Sequence, residues 1–206
     1  YFLCNINQKV LDKTIFPLSE LTKKEVRDIA KSMNLSTFEK KDSTGICFIG
    51  ERPFPSFLEN YINDKPGKII CDKGNEVGLH RGLSFYTLGQ RQGLGIGGVK
   101  GSPDLPWYVA KKNLKTNELL CVQGNDHPLL FSRELSTKNL FKLEDSLPTS
   151  FEGTAKVRYR QEDQGCEIYV EDNALNIKFH KPQRSVTPGQ SVVIYKNDKC
   201  LGGGEI

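Results

Sequence analysis

The clearest periodic signal in the first third of the chain lies within residues 17–35. Val26, Ile29, Ala30 and Met33 recur there at i, i+3, i+4 and i+7 and draw one apolar stripe. Thr22 and Glu25 stand just ahead of it as T-x-x-E, the arrangement in which each side chain satisfies the other residue's backbone N–H, and Leu21 and Val26 occupy the flanking staple positions. Lys23, Lys24, Arg27 and Lys31 fill the remaining surface. The pattern predicts an amphipathic helix, solvated on one side and docked on a domain by the other. A second, shorter helix is predicted over 55–62, where Phe57, Leu58, Tyr61 and Ile62 share a side, and Lys65-Pro66-Gly67 reads as a turn.

From residue 67 onward the pattern is that of strands. Strands are predicted near 68–72, 76–79, 84–88, 107–112, 118–123, 133–140, 153–160, 166–171, 174–180, 191–196 and 199–203. Asp72-Lys73-Gly74-Asn75, Thr116-Asn117, Asp172-Asn173 and Asn197-Asp198 separate them with residues suited to tight turns. Many short strands at regular spacing point to barrels or sandwiches. A soft boundary falls at Gly124–Leu130, and there is no internal repeat or low-complexity segment.

Composition narrows the class. With 37% hydrophobic and 26% charged residues over 206 positions, the chain reads as globular and able to form a real core. No stretch approaches the ~18 apolar residues of a membrane span. Tyr1-Phe2-Leu3 lacks the charged start of a signal peptide and there is no initiating Met, so the chain is expected to be part of a longer, cytoplasmic protein. The net charge of +4 permits an RNA partner without demanding one, and residues 151–206 balance eight Lys/Arg against eight Asp/Glu. Six widely spaced cysteines, with no C-x-x-C and no Cys/His set at ligand spacing, predict mostly buried, inert thiols and no metal.

Three segments carry candidate chemistry. Cys47 lies between Gly45 and Gly50, with Lys40 and Lys41 upstream. Positive charge and loop N–H groups would favour a thiolate there, and the glycine bracket would put it on a mobile, solvent-reachable loop. The alternative is a small apolar residue between Ile46 and Phe48 in a core strand. Gly78-Leu79-His80-Arg81-Gly82 and the glycine-rich run Tyr86–Gly98 lack the strand–helix context of a nucleotide site, so their glycines read as tight turns. His80 is a conceivable base but reads more simply as a hydrogen-bonded histidine. In Lys156-Val157-Arg158-Tyr159-Arg160-Gln161, a continuous strand would put Lys156, Arg158 and Arg160 on one face as a comb for phosphates, or as an ordinary solvated barrel face.

Taken together these segments resemble the tRNA 2-thiouridylase family. Lys41-Asp42-Ser43-Thr44-Gly45-Ile46-Cys47-Phe48-Ile49-Gly50-Glu51 is similar to its K-D-S-x-G-I-C-F-I-G-E signature. Phe16-Pro17-Leu18 with Thr22–Arg27, Gly78–Gly98, Trp107-Tyr108-Val109, Gly124–Pro128, Val157–Gln161, Val186–Ser191 and Cys200–Gly204 follow the family's order and spacing along essentially the whole chain.

The resemblance implies a mainly β fold with a short α-helical N-terminal segment: a small central β domain followed by a C-terminal β-barrel. Residues 1–52 would be the end of a PP-loop catalytic domain, 53–128 the central domain and 129–206 a tRNA-binding barrel. It also implies thiolation of the wobble uridine, U34, with ATP, through a persulfide on Cys47 and a transient disulfide to a first cysteine that has no counterpart in this chain. The ATP motif S-G-G-x-D-S is likewise absent from the sequence, so the chain alone is not expected to run the whole reaction. The implied partners are tRNA, contacted by Arg158, Tyr159 and Gln190, and a sulfur-relay or cysteine desulfurase donor, with no membrane. Two alternatives stand beside this reading. One is a non-catalytic RNA-binding β-barrel module, which leaves the G-I-C-F-I-G segment unexplained. The other is a different ATP-dependent thiolase or ligase sharing the upstream chemistry.

Overall fold

The computed structural model describes residues 1–41, 61–62, 64–99, 101, 103–144 and 146–206. The chain divides into two units, Lys9–Tyr61 and Tyr1–Gln8 with Ile62–Ile206. A single helical turn, α1 (Gln8–Leu11), lies at the junction in sequence.

In the first unit the helix α2 (Lys23–Ser32) forms as its pattern predicts. The Thr22 hydroxyl accepts from the Glu25 N–H at 3.4 Å, and the Glu25 carboxylate accepts from the Thr22 N–H at 2.7 Å. At the other end Asn34 adopts φ 54°, and the N–H groups of Asn34 and Leu35 return to the carbonyls of Lys31 and Ala30 at 3.0 and 2.9 Å. This is a Schellman closure, with Asn in the left-handed position that glycine usually fills. No residue of α2 is buried. The predicted helix over 55–62 lies outside the described residues apart from Tyr61 and Ile62.

The second unit carries two sheets. The first is built from β1 (Gly67–Ile70), β2 (Glu76–His80), β3 (Trp107–Asn113) and β4 (Glu118–Gln123), in the order β2-β1-β4-β3. β1 runs antiparallel to β2 and parallel to β4. Ile69, Leu83, Tyr86, Leu94, Val109, Leu119 and Cys121 form its core. The strand predicted at 84–88 is instead a 3₁₀ turn, Leu83–Phe85, followed by a loop. Leu83 and Tyr86 both turn inward, and the Ser84 N–H is taken by the Asp64 carboxylate at 2.6 Å.

The second sheet contains β5 (Phe131–Ser136), β6 (Phe141–Lys142), β7 (Ser150–Lys156), β8 (Gln164–Glu171), β9 (Ala174–Arg184), β10 (Ser191–Lys196) and β11 (Lys199–Glu205), ordered β5-β9-β8-β7-β10-β11-β6 with every pairing antiparallel. Asn197 and Asp198 both take positive φ between β10 and β11, the geometry of a two-residue hairpin turn whose twist matches its strands. The predicted strand 133–140 is interrupted after Ser136. Thr137 N–H bonds the Leu175 carbonyl at 2.9 Å and Lys138 N–H the Glu205 carbonyl at 2.8 Å, so the chain crosses from β9 to β11 before β6 begins. This crossing stitches together the two edges of a rolled, barrel-like sheet whose ladder remains open. Its interior holds Ile168, Leu175, Ile177, Phe179, Val192 and Ile194 among others.

The predicted strand 153–160 ends at Lys156, and residues 157–160 turn away. The single face of Lys156, Arg158 and Arg160 that a continuous strand would present, whether a phosphate comb or a solvated barrel face, therefore does not form. Lys156 is engaged by Asp163 at 3.1 Å, while Arg158 and Arg160 ride on the turn.

Candidate nucleic-acid interface

The turn after β7 is held from beneath by glutamines. The Val157 N–H donates to Gln161 Oε1 at 2.8 Å, and Gln161 Nε2 donates to Gln183 Oε1 at 2.7 Å. The buried Gln183 in turn donates to Gln164 Oε1 at 3.2 Å and to the Lys181 carbonyl at 2.7 Å. A buried amide left unpaired would be costly, so this satisfied chain fixes the turn's course. It leaves Arg158 aimed along the sheet end, where Nη2 donates to the Ser185 carbonyl at 3.3 Å. The same carbonyl accepts from the Thr187 hydroxyl at 2.8 Å.

Gln190 arrives from a second turn. Pro188 precedes Gly189 at φ 82°, the Gln190 N–H returns to the Thr187 carbonyl at 3.2 Å, and the turn is pinned to Ile206 by bonds of 3.0 and 2.9 Å. The Gln190 side chain is exposed and makes no hydrogen bond to the described residues. A third wall comes from the loop Thr87–Gln90, whose backbone bonds Val109 through Gly89 N–H at 2.7 Å and Gln90 carbonyl at 3.0 Å. Thr87, Leu88, Gly89, Gln90, Arg158, Thr187 and Gln190 enclose a cleft of about 440 Å³. The cleft offers one guanidinium, the Gln190 amide and the Thr87 hydroxyl, donors suited to a phosphate and its sugar.

Three consecutive family models match the chain: a tRNA methyl transferase HUP domain over residues 1–51, a tRNA methyl transferase PRC-barrel domain over 55–123 and an aminomethyltransferase beta-barrel domain over 132–206. The chain is 54% identical, over 208 aligned positions, to proteins named tRNA-specific 2-thiouridylase MnmA from Francisella tularensis subsp. tularensis strains WY96-3418 and SCHU S4 / Schu 4. It is 53% identical to the one from Francisella tularensis subsp. novicida strain U112. The match takes in 100% of this chain. The chain belongs to the tRNA-specific 2-thiouridylase family. It spans 58% of the length of these relatives.

Of the family-matched positions, Arg158 and Gln190 share the cleft. Tyr159 sits beside it on the same turn, 54% exposed. Cys47, and with it the expectation of a mobile loop, lies outside the described residues. The other five cysteines are free thiols, and burial pushes Cys121 and Cys166 up to about 12, which leaves both inert at neutral pH. His80 is structural: Nδ1 accepts from the Gly82 N–H at 3.1 Å and Nε2 donates to the Asn117 carbonyl at 3.0 Å, so neither nitrogen is available as a base. Among the described residues no group of three or more His, Cys, Asp or Glu side chains is arranged to hold a metal, and no helix is long and apolar enough to cross a membrane.

Sequence reasoning missed Thr87, Thr187, Gln183 and Ser185. Ser185 is the least expected of them: it is buried at φ 54° and its hydroxyl has no partner among the described residues. No local pattern marks a serine for that conformation.

Proposed function

We propose that this chain is part of a tRNA-modifying sulfurtransferase that places sulfur at C2 of the wobble uridine. O2 of the base is adenylated by ATP with loss of pyrophosphate, which makes C2 electrophilic and O2 part of an AMP leaving group. Cys47 is charged as a persulfide by a sulfur-relay or cysteine desulfurase protein. Its terminal sulfur attacks C2, and AMP leaves with O2. A second cysteine, without a counterpart in these residues, then attacks Cys47 Sγ. The S–S bond breaks, sulfur stays on C2, the two cysteines become a disulfide, and a thiol reductant reopens it.

The observation that carries this reading is the similarity to 2-thiouridylases along the entire chain, with Cys47 inside Lys41–Glu51. On this reading residues 1–52 end a PP-loop catalytic domain that holds ATP, 53–128 form the central domain and 129–206 the tRNA-binding barrel, working in the cytoplasm. Arg158, Tyr159 and Gln190 contact tRNA. The convergence of Arg158 and Gln190 on one cleft supports that assignment.

The test is made in the enzyme containing this chain. Cys47→Ser is expected to abolish 2-thiouridine formation while ATP-dependent adenylation of tRNA continues, with 2-thiouridine read by nucleoside mass spectrometry. Thiolation that survives the substitution would rule out Cys47 as the sulfur carrier. It would leave a non-catalytic RNA-binding module as the better account of this chain.

A further inference from the structure

Phe2 is 70% exposed and Tyr159 54% exposed, yet the two rings are packed together with centroids 4.5 Å apart and planes tilted by 39°. Tyr1 completes the group, edge-on to Phe2 at 5.5 Å and 6.1 Å from Tyr159. Its hydroxyl donates to the Ser191 carbonyl at 2.7 Å, one residue beyond Gln190. The cluster is therefore anchored on one side and open on the other. The turn that carries Tyr159 also carries Arg158 and Arg160. Neighbouring guanidinium groups suit a polyanion, and the aromatic faces suit a flat ring. An unpaired base on a phosphate backbone has both properties.

We propose that Phe2 and Tyr159 form a stacking platform for one unpaired base of an RNA strand whose adjoining phosphate lies at Arg158. The inference rests on reading the Arg158–Gln190 cleft as an RNA site. It adds Phe2, distant from the cleft residues in sequence, and names the feature held: a base face exposed in a loop and hidden in a duplex.

The enzyme containing this chain is titrated with tRNA at several salt concentrations, using Phe2→Ala, Phe2→Leu, Phe2→Trp and Arg158→Ala. Loss of one stacked ring is expected to weaken binding by roughly fivefold to a hundredfold in the Ala and Leu variants. The salt slope should stay unchanged, because no cation is removed. Phe2→Trp should bind as well as the parent. If Phe2→Ala binds normally while Arg158→Ala is weakened, the cleft remains an RNA site and the platform is overturned. If neither variant is weakened, both readings fall. If Phe2→Leu binds as well as the parent, or if Phe2→Ala alters the salt slope, Phe2 acts by packing or by placing Arg158, and stacking is overturned.

Discussion

Arg158 has one guanidinium nitrogen committed to the Ser185 carbonyl at 3.3 Å, and the residue lines the cleft. That geometry suits a group that meets a phosphate without being free to wander. A phosphate contact positions RNA without reading its sequence. Arg158→Ala should therefore weaken all substrate tRNAs alike and lower the slope of log affinity against log salt by roughly one. Thiolation at saturating tRNA should be untouched. Salt-dependent binding titrations check this, and an unchanged affinity and slope would reduce Arg158 to a turn-holding residue. Lys156 shows the contrast. Alternation would place it beside Arg158 on a strand face, but its ammonium is spent on Asp163 at 3.1 Å and lies over the Tyr195 ring.

At the scale of elements, α2 is the piece most dependent on its own ends. It has 10 residues, none of them buried, and an isolated helix that short is marginal in water. The capping box and the Asn34 closure therefore carry much of its stability. Thr22→Ala should cost about 1 kcal/mol of helix stability and speed hydrogen exchange of the first-turn amides. Hydrogen bonds from the Thr22 side chain and backbone N–H hold the Glu25 carboxyl below the ordinary glutamate range. A carboxyl lowered by folding stabilises the folded form above its unfolded pKa, and that contribution fades as pH falls through the folded value. First-turn protection should accordingly stay level from neutral pH into the glutamate range and drop only in stronger acid. Equal exchange in Thr22→Ala and the parent would show that the box is incidental. The final strand is constrained differently. A Cβ on Gly203 would strike the Val192 carbonyl and one on Gly204 the Asn139 carbonyl, so β11 can lie between β10 and the edge crossing only without side chains there.

At the scale of the molecule, the two sheets meet where the cleft opens. Arg184, the last residue of β9, donates from Nε to the Asn125 carbonyl at 3.2 Å and stacks over the Tyr108 ring at 5.0 Å, while the Ser185 N–H reaches the Leu130 carbonyl at 2.7 Å. Gly89, at φ 78°, comes so close that an added Cβ would collide with the Ser185 hydroxyl. Gly89→Ala should wedge this junction, lower stability by about 1–3 kcal/mol and weaken tRNA binding without changing the salt slope. Ser185→Gly removes both the hydroxyl and a strained non-glycine conformation, so the double variant should regain part of the loss. Thermal melts of the four proteins measure the coupling, and strict additivity would mean that the contact does not hold the sheets.

The chain's local grammar was legible without coordinates. The T-x-x-E cap, the positive-φ turns at Asn117, Asp172 and Asn197-Asp198, and most strand positions depend on neighbours a few residues apart, which the sequence displays directly. The proposed RNA contacts Arg158, Tyr159 and Gln190 were reachable only through family resemblance, because the alternation around Arg158 also fits an ordinary solvated strand and Gln190 sits in a common kind of turn. What ended β7 at Lys156 was a glutamine chain running from Gln161 to Gln183 and Gln164. What turned 84–88 out of the ladder was the inward packing of Leu83 and Tyr86 around a core closed by β3 and β4. His80 became structural through Asn117, and Phe2 met Tyr159 across about three quarters of the sequence. Each of these outcomes rests on a partner brought near by sheet closure, and such long-range contacts leave no periodic trace in the residues that make them.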